Sequence, residues 1–492
     1  MLVQEKELSS VEELLELIDD LQRLGISYHF EDEINQMLGC LYEQKYAWGK
    51  NNSEGKERDL YTTALAFRLL RQHGFIVPQE IFDCFRNEKG DFVPSLGHDT
   101  KGLLQLYEAS FLSTPGEKTL DLAREFATNF LQKNPNEKID ESLSILVRHA
   151  LELPIHWRVQ RPNTRWFIEA YERRQDANPL VLELAKLDFN IVQTTHQQEL
   201  KHVYRWWTQT GIAENLPFAR DRMVECYFWT TGVFSHPQYS YPRIKSSKLN
   251  ALVTVIDDVF DVYATHQELQ LFNNAIQRWD VEAIDQLPNY MQICYLALYN
   301  FINDMAYDVL KQQGLLIIPH LRKSWADLCR TYLQEAEWHL RGYTPTLEEY
   351  MNNAWISISA PVILSHAYFL AANPIEEELV PSLYKYHDLV RYSAIILRLA
   401  NDLKTSPCYM SESGGSGEEA VEYIRFLIGE TWKDMNQEAF VADDCPLPQD
   451  FVRIAADLGR MAQYMYQDGD GHGIQNCDIK TRISTLLFHP IL

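Results

Sequence analysis

With 492 residues, 46% of them hydrophobic and 23% charged, the chain is long enough for more than one hydrophobic core and has the composition of a folded protein. Its formal net charge of -24 argues against a nucleic-acid partner, because binding a phosphate polymer needs a basic face that displaces counterions. The 8 cysteines form no CxxC pair and no Cys/His cluster at zinc spacing, so they read as reduced core thiols and not as a structural metal site.

Residues 1–13 are acidic and polar, with neither a secretory apolar stretch nor an Arg/Ser-rich transit peptide, so a leader either never existed or has been removed. Beyond them the periodicity is helical. Asp19 and Asp20 lie on a helical pattern with Arg23 one turn on, and this acidic pair is expected to be structural. Residues 61–72 place Leu65 and Leu69 on one face, and similar apolar stripes recur in 121–132 and 180–192. The polar run 173–179 (RRQDANP) separates two helical halves, and its proline marks a helix boundary. The expected domains are therefore 1–174 and 175–492. No convincing strand pair and no solenoid period occurs, so the fold class is all-α.

Arg220-Asp221-Arg222 follows Pro217 at a predicted helix start, where cations oppose the macrodipole; an anion is the simplest compensation, a solvated turn the competing reading. Trp229, nine residues beyond Arg220, is either core or an aromatic wall able to steady a carbocation. Residues 250–261 (NALVTVIDDVFD), taken as a helix, put Asn250, Thr254, Asp257, Asp258 and Asp261 on one stripe. A solvated helix face normally carries Lys, Arg and Glu, whereas this one holds only short acceptors. Like charges one turn apart repel by roughly a few tenths of a kcal/mol unless a cation intervenes. Such carboxylates suit Mg²⁺, which is typically shared between one or two carboxylates and a substrate phosphate. Asn250, two turns before Asp257 on the same face, is placed to hold a water, or else is a satisfied cavity amide.

Residues 350–375 are uncharged until Glu376 yet too polar for a membrane span, and they read as a buried helix broken near Pro361. The carbonyls freed within WISISAP, around Ile356 and Ser357, are candidates to line a cavity; a kinked core helix is the alternative. Residues 391–405 (RYSAIILRLANDLKT) align Arg391, Arg398, Asn401, Asp402 and Thr405 on a second polar stripe. Facing the first stripe, it would offer amide, carboxylate, hydroxyl and an arginine for phosphate; the bland alternative is an Arg398/Asp402 ion pair. The runs 411–417 and 468–473 read as Gly-rich surface loops beside the site, and so as candidate lids.

These residues resemble the plant terpene synthase family, in particular angiosperm monoterpene synthases. IDDVFD matches the family's DDxxD motif, LRLANDLKT begins its second NDxx[ST]xxxE motif, and RDR matches its RxR. The resemblance covers nearly the whole chain, including LVRHALELPIHWRVQRPNTRWFIEAY and VLELAKLDFNIVQ. It implies a vestigial N-terminal α-barrel and a C-terminal class I terpenoid synthase α-bundle holding three Mg²⁺, with Mn²⁺ as substitute. By the motif match, Asp257, Asp258 and Asp261 serve the first metal motif and Asn401, Asp402 and Thr405 the second. Arg220, Arg222 and Arg398 would hold diphosphate, and Trp229, Asn250, Thr254, Ile356 and Ser357 would line the cavity. The implied reaction ionises geranyl diphosphate and closes the ring through linalyl and α-terpinyl cations, with water capture giving an α-terpineol or 1,8-cineole type product. The implied setting is the plastid stroma after transit-peptide removal, with the cytoplasm as alternative, and a monomer or weak dimer without membrane insertion or nucleic acid.

Two departures stand out. The family's N-terminal tandem-arginine and tryptophan motif is missing. At position 409, where the second motif calls for Glu, this chain has Tyr, and SPCYMSESG reads as a join of two separated family segments, the loop carrying that Glu being either absent or only omitted between Pro407 and Cys408. Three other readings stay open: a sesquiterpene synthase using farnesyl diphosphate, a chain-elongating prenyltransferase whose second motif would be more acidic, and a non-catalytic helical scaffold.

Overall fold

The computed structural model describes residues 10–43, 59–133, 140–403, 417–441, 446–467 and 477–492. Among them there is no strand, only an isolated bridge between Arg86 and Phe92, as the all-α reading expects; the chain forms two compact units.

The first unit comprises Met1–Ile191, Trp432–Cys445 and Pro490–Leu492. Its helices are α1 (Val11–Arg23), α2 (Glu31–Glu43), α3 (Leu60–Gln72), α4 (Thr100–Ser110), α5 (Lys118–Lys133), α6 (Glu141–Glu152), α7 (Gln160–Glu172) and the first part of α8 (Pro179–Thr210). Starts follow local capping: Ser10 accepts from the Glu13 amide and Asp59 from that of Thr62, each satisfying an otherwise orphan donor. The predicted break appears between α7 and α8, inside this unit. A core of Leu103, Leu104, Tyr107, Phe111, Ala127, Leu131, Val147 and Ala150 joins α4, α5 and α6. The acidic pair is structural: Asp19 bridges Arg23 and Arg68, and Asp20 bonds Arg174 at 2.7 Å.

The second unit comprises Val192–Thr431 and Pro446–His489. It includes α9 (Ile212–Asn215), α10 (Met223–Val233), α11 (Ser240–Asp258), α12 (His266–Arg278), α13 (Asn289–Gln313), α14 (Ile318–Arg341), α15 (Leu347–Ser357), α16 (Ala360–Ala371), α17 (Val380–Tyr384), α18 (Asp388–Asp402), most of α19 (Gly417–Asn436), α20 (Gln449–Tyr466) and α21 (Cys477–Phe488). Helix α10 is buried almost all round because it packs on both α11 and α20, while α18 packs on α15, α16 and α20. By length and composition Leu347–Ala371 could cross a membrane, but here it is two mostly buried helices, α15 and α16, broken at the left-handed Ser359 (φ 69°). Both predicted Gly-rich loops, and the junction around Tyr409, lie outside the described residues.

Candidate active site

Helices α10, α11, α14, α16, α18 and α20 surround a cavity of about 340 Å³. Along α11 its lining runs Ser246, Asn250, Val253, Thr254 and Asp257, a stripe that recurs every three or four residues. Pro242 lies in the first turn of that helix, where its missing N–H costs no intrahelical bond. The α register ends at Asp258. A π-helical turn, Val259–Tyr263, continues the chain and carries Asp261 onto the same wall. Such π turns leave the i→i−4 ladder and recur at functional sites.

Asp257 and Asp261 face the cavity, and Glu335 of α14 joins them on the lining. Burial raises Asp257 to about 6, helped by the charge on Asp261 and opposed by Arg220. Burial also raises Asp261 and Glu335, with Glu335 a further charge acting on Asp261. Glu335 accepts from Ser357 Oγ at 2.6 Å and Asn353 Nδ2 at 2.9 Å, both through Oε1. It escaped the sequence reading because QEAEWHLR resembles a charged helix surface. Its signal was the spacing from Leu328 and Tyr332, which puts position 335 on the buried stripe of α14.

Several predicted residues sit elsewhere. Both Asp258 oxygens are taken by Arg220, from its backbone N–H (2.8 Å) and its Nε (2.7 Å), so this carboxylate is turned from the cavity. Arg220 also reaches Asp257 through Nη2 at 2.8 Å. The cationic RDR segment is thus compensated by the chain's own aspartates; burial alone would lower the Arg220 pKa, but the Asp258 and Asp257 charges raise it. Arg222 is the N-cap residue of α10, pairs with Glu225 at 3.2 Å and is absent from the cavity wall. Ile356 also fails to line it: the break turns the helix end so that Ser357, Ile358 and Ser359 do. On α18, Arg398 and Asn401 line the cavity, whereas Asp402 is buried under Arg398 and the Tyr350 hydroxyl (2.9 Å). The Arg398/Asp402 pair therefore exists alongside the exposure of Arg398 to the cavity, and Arg398 also donates to Asn401. Thr405 lies outside the described residues.

Much of the remaining wall is aromatic and aliphatic, interrupted by Cys226 and Thr230. Trp229 and Tyr466 approach at 6.2 Å between ring centroids, with Val233, Phe234, Tyr332, Ile363, Leu397 and Leu458 around them. Arg243, fully buried, fixes the corner after α10. It grips Glu199 through two bonds (2.8 and 2.9 Å) and donates to the carbonyls of Phe234, His236 and Pro237.

Among the described residues no group of three or more His, Cys, Asp or Glu side chains closes around a metal by itself. The donors nevertheless fit Mg²⁺. Asp257, Asp261 and Glu335 are hard oxygen donors crowded enough to raise one another's pKa, and Mg²⁺ takes few protein carboxylates when phosphate and water complete its shell.

Residues 208–434 match the model of the terpene synthase family, metal binding domain, and residues 1–151 that of the terpene synthase N-terminal domain. The chain is 56% identical over 504 residues to a chloroplastic cineole synthase 1 of Salvia fruticosa, covering 99% of this chain and 83% of that one. Among solved structures it resembles limonene synthase with 2-fluorolinalyl diphosphate (TM-score 0.95, 52% identity, 99% of this chain and 92% of that one). It also resembles the isoprene synthase of grey poplar leaves in complex with three Mg²⁺ ions and dimethylallyl-S-thiolodiphosphate (TM-score 0.92, 44% identity, 99% and 94%). An all-helical fold around a cavity edged by carboxylates and arginines, in a chain matched by both terpene synthase models, is that of a class I prenyl-diphosphate lyase. The chain belongs to the terpene synthase family.

Proposed function

We propose that this protein is a monoterpene synthase that ionises geranyl diphosphate and cyclises the cation through linalyl and α-terpinyl stages, with water capture giving an oxygenated product. The observation that carries the reading is one cavity with Asp257, Asp261, Glu335, Arg220 and Arg398 on its lining and otherwise mainly aromatic and aliphatic walls. Residues 1–174 form the N-terminal domain and 175–492 the catalytic one in this reading.

Asp257, Asp261 and Glu335 would hold Mg²⁺ on one side and Asn401 on the other; the motif match adds Thr405 to the ligand set. When bound, the ions supply Lewis-acid charge to the leaving diphosphate. Arg220 and Arg398 neutralise the charge that develops on that group as the carbon–oxygen bond breaks. The Nε and Nη2 of Arg220 are held by Asp258 and Asp257, so diphosphate competes with these carboxylates for the guanidinium. The hydrocarbon tail lies against Trp229, Phe234, Tyr332 and Tyr466, whose faces stabilise cationic carbon by about 1–2 kcal/mol each when desolvated, while the apolar wall excludes bulk water. The walls thus protect the cation until a defined base or water ends the reaction.

Asn250 supports the oxygenated outcome. Its Oδ1 is buried without a hydrogen-bond partner and its Nδ2 reaches the Cys226 carbonyl only at 3.5 Å, leaving a polar amide inside an otherwise protective cavity. The plastid is the expected compartment, in keeping with the chloroplastic cineole synthase relative.

Incubation with geranyl or farnesyl diphosphate and Mg²⁺, followed by chiral gas chromatography, tests the reading. Cyclic monoterpenes with an alcohol or ether among them are expected. Absence of any volatile product overturns the assignment, and turnover of farnesyl diphosphate alone replaces it with sesquiterpene synthesis. An Asn250→Ile variant with an unchanged oxygenated fraction would remove Asn250 from the water-holding role.

A further inference from the structure

Of the residues lining the cavity, two carry a buried side-chain atom with no hydrogen-bond partner: Asn250 Oδ1 and Ser246 Oγ. Both lie on α11, one turn apart, so their side chains share a face with Cβ atoms roughly 5–6 Å from each other. A buried helical hydroxyl normally satisfies itself on a carbonyl of the preceding turn. The neighbouring hydroxyls do so: Ser247 donates to the Arg243 carbonyl at 2.7 Å, Thr254 to that of Asn250 at 3.0 Å, and Thr230 to that of Tyr227 at 2.7 Å. Ser246 is the exception, although its side chain is just 1% exposed.

Leaving a buried hydroxyl and a buried amide oxygen unpaired costs about 1–3 kcal/mol each, and native proteins discharge that cost with ordered water. We infer that Ser246 and Asn250 together form a two-point site for a single water, and that Ser246 is a specificity-determining residue for the oxygenated product. The inference rests on the monoterpene synthase reading and adds a residue to it. A hydroxyl can donate to the water while the amide oxygen accepts from it, which holds one lone pair toward the cavity. That lone pair forms the C–O bond to the tertiary cationic carbon. The proton released from the resulting oxonium passes to the diphosphate left by ionisation, so charge and atoms balance. Without an anchored water the cation loses a proton to the same diphosphate and leaves as a hydrocarbon.

The test uses the full chain with geranyl diphosphate, Mg²⁺ and ¹⁸O-water, and reads the labelled fraction of total products. Threonine and valine are isosteric and differ here by the hydroxyl, so Ser246→Thr and Ser246→Val separate hydrogen bonding from volume. Ser246→Thr should keep most of the labelled fraction. Ser246→Val should lower it by about three- to tenfold, the worth of one hydrogen bond. Ser246→Ala, which adds no bulk, should follow valine and covers the case in which valine impairs folding. Equal labelled fractions in the threonine and valine variants, or a wild-type fraction in the alanine variant, overturn the role of Ser246 while leaving the synthase reading intact. A wild type that makes monoterpene hydrocarbons alone overturns water capture and the Ser246 site together, and no monoterpene at all overturns the parent reading.

Discussion

Glu335 spends one carboxylate oxygen on Ser357 and Asn353, so its charge can be removed without removing its neighbours' acceptor. Glu335→Gln keeps an Oε1 for both bonds but leaves Asp257 and Asp261 as the carboxylates on that wall. Turnover of geranyl diphosphate should fall by about 10- to 100-fold and half-saturation should need more Mg²⁺, the usual scale for losing a group that supports a metal site. Steady-state kinetics across a Mg²⁺ series checks this; unaltered Mg²⁺ dependence would reduce Glu335 to a tether for α15. His366 gives a prediction of a different kind. It is fully buried, its Nδ1 donates to the Val362 carbonyl at 2.8 Å, and its Nε2 accepts from Trp325 at 3.4 Å, an arrangement that needs the neutral ring. Burial lowers its pKa to about 4 from an ordinary 6.5. The unfolded chain therefore takes up this proton first, and stability is lost as pH falls from about 6.5 toward 4, with no further loss from this group below that. Between pH 6.5 and 5 the expected cost is about 2 kcal/mol. Urea unfolding at both pH values should show a shallower acid loss in His366→Asn than in the wild type.

At the scale of elements, the sequence made the helices and the two polar stripes readable because each stripe is set by periodicity within one helix. It failed where a helix changes register. Pro361 correctly signals a break, but proline is tolerated in the first turn of α16, so the strained residue is Ser359, two positions earlier. That shift is why Ile358, and not Ile356, reaches the cavity. Likewise the α-helical stripe projected through Asp261 becomes a π turn after Asp258, and Asp258 swings to Arg220. Ser359 holds φ 69° and caps α16, a conformation costing a non-glycine residue about 1–2 kcal/mol. Ser359→Gly should raise the unfolding free energy by up to about 1 kcal/mol after the entropy that glycine adds to the unfolded chain. Ser359→Val, β-branched in the left-handed region, should lower it by about 2 kcal/mol. Because Ser359 lines the cavity, both variants should also alter the product ratio, which gas chromatography of the same preparations would show. A kink without bearing on the site would move stability alone.

For the whole molecule, class and composition were legible since helical periodicity and acidity act over many residues, whereas tertiary partners such as Arg220 with Asp258 join positions far apart in sequence. The -24 net charge makes an anionic ligand depend on local compensation. That compensation is divided: Arg220 is engaged by Asp257 and Asp258, and Arg398 by Asp402 and Asn401. Inorganic diphosphate on its own would compete with these pairs and face the carboxylates Asp257, Asp261 and Glu335. Mg²⁺ on its own meets a wall whose carboxylates are already partly neutralised by Arg220. Together, the cation would be held by the carboxylates while the arginines would meet the phosphate oxygens, so the two ligands should bind cooperatively. Ligand binding to the folded state alone stabilises it by about 2.7 kcal/mol at a hundredfold excess over the dissociation constant. Thermal unfolding should accordingly show little change with 1 mM-range diphosphate in chelator or with Mg²⁺ alone, and a clear upward shift with both. Arg220→Ala should abolish most of that joint shift, because it removes the group that passes from carboxylate to phosphate. Equal, additive shifts from the separate ligands would mean that the Arg220 pair does not gate the site.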